Sequence, residues 1–284
     1  MKTPGFLLTL SLALLAQPVI GAEAAVPAAE EVQAAGESAL PEGAQSPVDA
    51  WQSLLRPHYF KDVPIVEDTT VIDLSTPYRA EDAALTPVSI SAKFPQTPER
   101  YIRTLYLFAD KNPEPLAGVF HLTPELGRAD LHLRIRINEY THVRAIAVLN
   151  TGEHHMVTKY VKASGGCSAP LGADLKAAMA RIGKMRLRTV EQPADGPLLA
   201  QFAVSHPNIT GMQMDQKTRT ITPPHYVKSL RISLDGRPVM TAETGISISA
   251  DPSFRFYLDT EPGAEVTAEV VDSENRAFTE SFTL

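Results

Sequence analysis

The chain has 284 residues, 44% of them apolar, and a formal charge of −7. That length suits two small domains, and a negative chain without a basic run excludes nucleic acid as its main partner. A single cysteine, Cys167, excludes an internal disulfide.

The N-terminus reads as an export signal. Lys2 is followed by an apolar run, Phe6 to Ala16, too short to span a bilayer and broken at Gln17-Pro18. Small residues at Gly21-Ala22 and Ala24-Ala25 place cleavage near Ala22. No cysteine lies near that boundary for a lipid anchor, and no later stretch approaches the ~20 apolar residues of a membrane helix. The expectation is a soluble periplasmic protein without a membrane anchor. Residues 23–45 are rich in Ala, Glu, Pro and Gly, lack aromatics, and read as a disordered leader.

Ser46-Pro47 is a helix start, and the helix carrying Trp51 and Leu55 is expected to stop at Arg56-Pro57. Strands then dominate. Val88, Ile90, Ala92 and Phe94 share one face, as do Leu131, Leu133, Ile135 and Ile137. Further strands are expected over 71–74, 102–109, 116–122, 141–149 and 156–161. Asp110 and Glu114 flank prolines in a turn and make no acid/base pair. Residues 173–182 carry helical spacing with Gly183 as C-cap, inside a linker over 168–197. Strands return over 199–205, 227–234, 239–248, 253–258, 265–271 and 277–282, with a tight hairpin at Asp235-Gly236. The predicted fold is all-β: two immunoglobulin-like antiparallel β-sandwich domains, 46–167 and 198–284, joined by a linker with a short helix.

Cys167 lies in Ala163-Ser164-Gly165-Gly166-Cys167-Ser168-Ala169-Pro170. The two glycines free the backbone and remove side-chain cover, so the thiol reads as presented rather than packed. Lys159 and Lys162 are near enough in sequence to raise thiolate character. A protease-like pairing of Cys167 with His154 or His155 is disfavoured, because nucleophile and base need a rigid geometry. A second constellation combines His206, Met212, Met214 and His225, donors that suit copper. The methionines read first as core filler, with no cofactor; copper binding is the alternative.

These residues resemble the SoxYZ sulfur-carrier family, fused into one chain. Phe108-Ala109-Asp110-Lys111-Asn112-Pro113, Arg134-Ile135-Arg136-Ile137, and Val161-Lys162 leading to Gly165-Gly166-Cys167 are similar to SoxY. His206-Pro207-Asn208-Ile209-Thr210-Gly211 with Asp215, and the stretch Ile248 to Phe256, are similar to SoxZ. The resemblance implies a periplasmic, non-catalytic carrier of thiosulfate-oxidation intermediates. Cys167 would be the covalent attachment site, and Gly165 and Gly166 the carrier arm. It also implies sulfur-oxidation enzymes as partners, with the quinoprotein dehydrogenase-associated type as nearest relative. An accessory or copper-binding module for a quinoprotein dehydrogenase is the alternative function. SoxY ends shortly after its cysteine, whereas Ser168-Ala169-Pro170 carries this chain onward. The arm is therefore expected to be tethered at both ends.

Overall fold

The computed structural model describes Met1 and residues 50–171, 175–214, 219–261 and 263–284. The signal and leader readings, the helix start at Ser46-Pro47, and Asp215 lie outside the described residues.

The first half opens with a π-helical turn, Trp51–Leu55, running into α1, Arg56–Tyr59. The helix thus passes the proline expected to stop it. Pro57 has no N–H for an α-type bond. The wider π register, closed by Arg56 N–H donating to the Trp51 carbonyl, carries the chain through. Eight strands follow: β1 Ile65–Glu67, β2 Ile72–Ser75, β3 Thr86–Ala92, β4 Ile102–Ala109, β5 Leu116–Leu122, β6 Leu131–Ile135, β7 Thr141–Leu149 and β8 His154–Val161. After the cysteine segment comes α2, Leu175–Ala180. The second half supplies β9 Met185–Glu191, β10 Leu198–Val204, β11 Val227–Leu234, β12 Arg237–Thr244, β13 Ser253–Leu258, β14 Glu265–Asp272 and β15 Ala277–Thr283. Part of the stretch expected as linker is therefore β9, which pairs with β10.

The strands form two sheets, ordered β1-β8-β7-β4-β5-β12-β11-β14-β15 and β2-β3-β6-β13-β10-β9. Each half contributes a β-sandwich, as expected, but the two sandwiches are fused edge to edge. β5 of the first half pairs with β12 of the second, with Thr241 opposite His121. β6 pairs with β13, with Phe256 opposite Leu131. One hydrophobic core runs between the sheets from Ile72 and Ile90 to Ile232 and Phe256, and the Phe120 and Phe254 rings meet across the junction at 6.1 Å.

Alternation explains most strands. β10 and β14 bury every second residue, one face on the core and one towards water. β7 is buried almost throughout because its outer face is also covered. There Trp51, Leu55 and Phe60 pack on Phe108, Leu116, Val119, Ile146 and Met156. Covering each such large side chain contributes roughly 1.5–3 kcal/mol, which fixes the N-terminal helical turn to the sheet.

Candidate functional site

The cysteine segment leaves β8 at Val161. Lys162 N–H donates to the Tyr78 carbonyl, and Ala163 is buried. Gly165 adopts φ +77°, a left-handed backbone that favours glycine. Gly165 and Gly166 N–H groups then donate to the carbonyls of Asn138 and Ile137. At Gly166 an added Cβ would fall 2.1 Å from the Ala83 carbonyl oxygen. The glycines therefore serve close docking of the backbone here, whereas the sequence suggested an open arm.

The thiol follows the backbone inward. Cys167 is 0% exposed, which corrects the expectation of a presented thiol. The missing side-chain cover at Gly165 and Gly166 is supplied by the body of the protein. Burial pushes the thiol up to about 11; the Arg136 charge pulls it down and Glu114 pushes it further up. The lysines expected to activate it are not among the groups that shift it. In this docked position the sulfur is a neutral, poorly nucleophilic thiol.

Both halves hold the segment. From the first, Arg136 Nη1 donates to the Gly166 carbonyl at 3.0 Å. From the second, Thr210 Oγ1 donates to the Cys167 carbonyl at 2.6 Å, and the Asn208 carbonyl accepts Arg136 Nη2 at 3.2 Å. Asn208 is kept in place by its own side chain. Its Nδ2 donates to the Ile248 carbonyl and its Oδ1 accepts Val227 N–H. Asn112 fastens the seam from the other side. Its Nδ2 donates to the Arg136 carbonyl and to Ser247 Oγ, and its Oδ1 accepts Asn138 N–H. Glu114 reaches across to accept Ile246 N–H at 3.1 Å, and its carbonyl accepts Ser247 Oγ at 2.8 Å. The Asn112 and Asn208 loops were legible as motifs. Their task, locking the two halves around the cysteine, was not, because it depends on pairs of residues 43 to 135 positions apart.

The four residues of the copper alternative are only partly brought together. His206 and His225 are buried with their rings 4.6 Å apart, but Met214 is 45% exposed and so is neither core filler nor part of that buried pair. The third member beside the histidines is Asp272; ligand atoms of the three lie within 4.8 Å of one another. Two observations make this an ion network rather than a metal site. Asn208 N–H donates to His206 Nδ1 at 3.1 Å, so the neutral ring carries its proton on Nε2, the atom a metal would need. The cation is already present: Arg276 Nε lies 2.7 Å from Asp272 Oδ2, and its guanidinium rests against His225. Burial lowers His206 to about 4, helped by the neighbouring His225. Burial would raise Asp272, but hydrogen bonds from His225 and Arg276 outweigh it and hold the carboxyl at about 2.

His154 and His155 lie on β8, His154 Nδ1 donating to the Gly152 carbonyl and His155 facing Asp68. Neither makes a hydrogen bond to Cys167 among the described residues. Asp110 pairs with Arg144 at 2.9 Å.

Comparison with known proteins follows the same division of the chain. The family model "Sulfur oxidation protein SoxY" matches residues 56–167 and ends on Cys167. The model "Sulphur oxidation protein SoxZ" matches residues 185–283. No curated protein matches the sequence. Among solved structures, the chain is similar to the sulfur carrier protein SoxY from Chlorobium limicola f thiosulfatophilum, at 22% identity and TM-score 0.34, over 40% of this chain and 94% of that one. It is also similar to a superoxide reductase (neelaredoxin) E23A from Ignicoccus hospitalis, at 17% identity and TM-score 0.30, over 33% and 80% of the two chains. A putative superoxide reductase from Thermotoga maritima overlaps at 14% identity and TM-score 0.28, over 34% and 86%.

Proposed function

The chain is a SoxY domain followed by a SoxZ domain, the make-up of the non-catalytic sulfur carriers of thiosulfate oxidation, and on that premise we propose that Cys167 is its cargo-attachment site. Sulfur intermediates would be bound covalently on the Cys167 sulfur, with Gly165 and Gly166 as the hinge of the carrying segment. The observation that carries the reading is the position of the sole cysteine: it closes the SoxY match and lies on the seam with the SoxZ half. We place the cycle in the periplasm, on the export signal read from residues 1–22. Its partners there are sulfur-oxidation enzymes; a quinoprotein dehydrogenase-linked type rests on sequence resemblance alone.

The proposed cycle needs a second, undocked position beside the buried one. Docked, the thiol is shielded and neutral; undocked, it regains the ordinary thiolate fraction of a free cysteine. Loading belongs to the second position.

Intact-mass analysis with peptide mapping tests the proposal. Protein isolated from its native host during growth on thiosulfate is expected to carry sulfur or sulfonate mass additions on the Cys167 peptide. Cys167→Ser should carry none and should abolish thiosulfate-dependent growth. An unmodified Cys167 in wild type, with normal growth of the serine variant, would sink the proposal.

A further inference from the structure

Two arginines are buried in the SoxY half, and they are treated differently. Arg144, 7% exposed, has both carboxylate oxygens of Asp110 within 3.1 Å of its Nε. Arg136 is more deeply buried, at 4%, and among the described residues no carboxylate makes an ion pair with it. Its two terminal nitrogens donate to carbonyls on the arm and on the SoxZ half. Its Nε is buried with no hydrogen-bond partner. A desolvated guanidinium without a counter-anion is costly, and an orphaned donor on it adds to the cost. The group whose negative charge, once formed, would act on it most strongly is Cys167, one residue past the carbonyl that Nη1 holds; Asp82, exposed, follows. The thiol is neutral when free, so with Cys167 empty it supplies no anion to Arg136.

We propose that Arg136 binds the cargo: its guanidinium is the counter-cation for a sulfur adduct on Cys167 that ends in an anionic sulfonate or persulfide. This rests on the carrier reading. Arg136 makes the docked position selective for charged cargo, so the loaded arm is held and protected against stray thiols. A neutral adduct of similar size gains nothing from it. Lysine keeps the charge and retains part of the effect; glutamine removes it.

The test compares two adducts on the full chain. With tetrathionate, the Cys167 sulfur attacks an inner sulfur, the central S–S bond breaks, thiosulfate leaves with the electron pair, and the thiol proton goes to solvent. The product ends in an anionic sulfonate. With methyl methanethiolsulfonate the same attack expels methanesulfinate, with the thiol proton again lost to solvent, and leaves a neutral methyl disulfide. Half-lives against dithiothreitol, read by intact mass, are measured for wild type, Arg136→Lys and Arg136→Gln. The same adducts on the urea-unfolded chain give the intrinsic ratio. In wild type the anionic-to-neutral half-life ratio should exceed the unfolded ratio ~10-fold, the size of one charge-assisted hydrogen bond. It should be partly kept in Arg136→Lys and fall to the unfolded ratio in Arg136→Gln. If folded wild type gives only the unfolded ratio, or if Arg136→Gln matches wild type, the inference is overturned while the carrier reading stands. Should Arg136→Gln fail to fold, the wild-type and lysine ratios still decide. Failure of either reagent to modify Cys167 on the folded chain would overturn both.

Discussion

At the scale of single residues, one buried pair, His206 and Asp272, contributes to the acid sensitivity of this protein, alongside His121, His132 and His154, which burial also lowers. His206 titrates at about 4 when folded, against an ordinary histidine near 6.5. The folded state therefore binds fewer protons than the unfolded one below pH ~6.5, and stability falls with pH from there until about 4. Asp272, held at about 2, adds stability that is present above an aspartate's ordinary 3.8 and is lost as the pH drops towards 2. Thermal unfolding measured from pH 7 to 4 should show a falling midpoint already above pH 4.5, where ordinary carboxylates are still ionised. His206→Asn should flatten that part of the curve, and an unchanged slope in this variant would remove His206 as the cause. None of this was visible around His206, which the sequence offers as a copper donor beside His225. The histidine acquires its character from its burial and from His225 beside it, which tertiary folding brings together. Cys167 is the converse case. Its singularity was plain from the sequence, but its burial was not, because glycine is compatible with a free arm and with a backbone pressed against Ala83.

At the scale of elements, the periodic strands were legible and the edges were not. β6 and β10 alternate cleanly and fall close to the expected bounds. β9 buries one residue in seven, so no apolar rhythm marks it. β1 has three residues and is held by parallel pairing with β8, which no local pattern announces. The loop over 205–214 matters most for the cysteine, since Thr210 supplies the hydrogen bond that the SoxZ half makes to the Cys167 carbonyl. Removing that hydroxyl leaves a buried carbonyl unsatisfied and costs the docked state ~1–2 kcal/mol. Alkylation by iodoacetamide at pH 7.5 should be ~100-fold slower in the folded wild type than in urea, from the raised thiol pKa alone, and Thr210→Ala should recover ~10-fold of that. Labelling of the folded wild type at the unfolded rate would show that the docked state is not populated.

At the scale of the whole molecule, two sandwiches were expected on a linker, and two sheets run through both. The joining edges, β5 with β12 and β6 with β13, carry ordinary strand sequences. A strand's partner is set by tertiary placement rather than by its own residues, so this fusion could not be read in advance. It has a direct consequence for dissection. Residues 46–171 and 175–284 produced separately would each expose two unpaired strand edges and half of a shared core, a recipe for aggregation. Co-expressed, they should assemble into a stable one-to-one complex with the melting behaviour of a single cooperative unit. Two independently soluble, non-interacting halves would refute the continuous-sheet arrangement. The same continuity bears on how sulfur held on Cys167, as proposed above, would be delivered. Cys167 is five residues from its anchor at Lys162, ~17 Å of extended chain, and the polypeptide must return to α2 after it. On that reading, an enzyme that serves this thiol could not thread it like a tail into a narrow tunnel. It has to admit a doubled-back loop, through a slot wide enough for two passes of backbone and open along one side. The shape of this carrier thus dictates the mouth of the catalyst it visits.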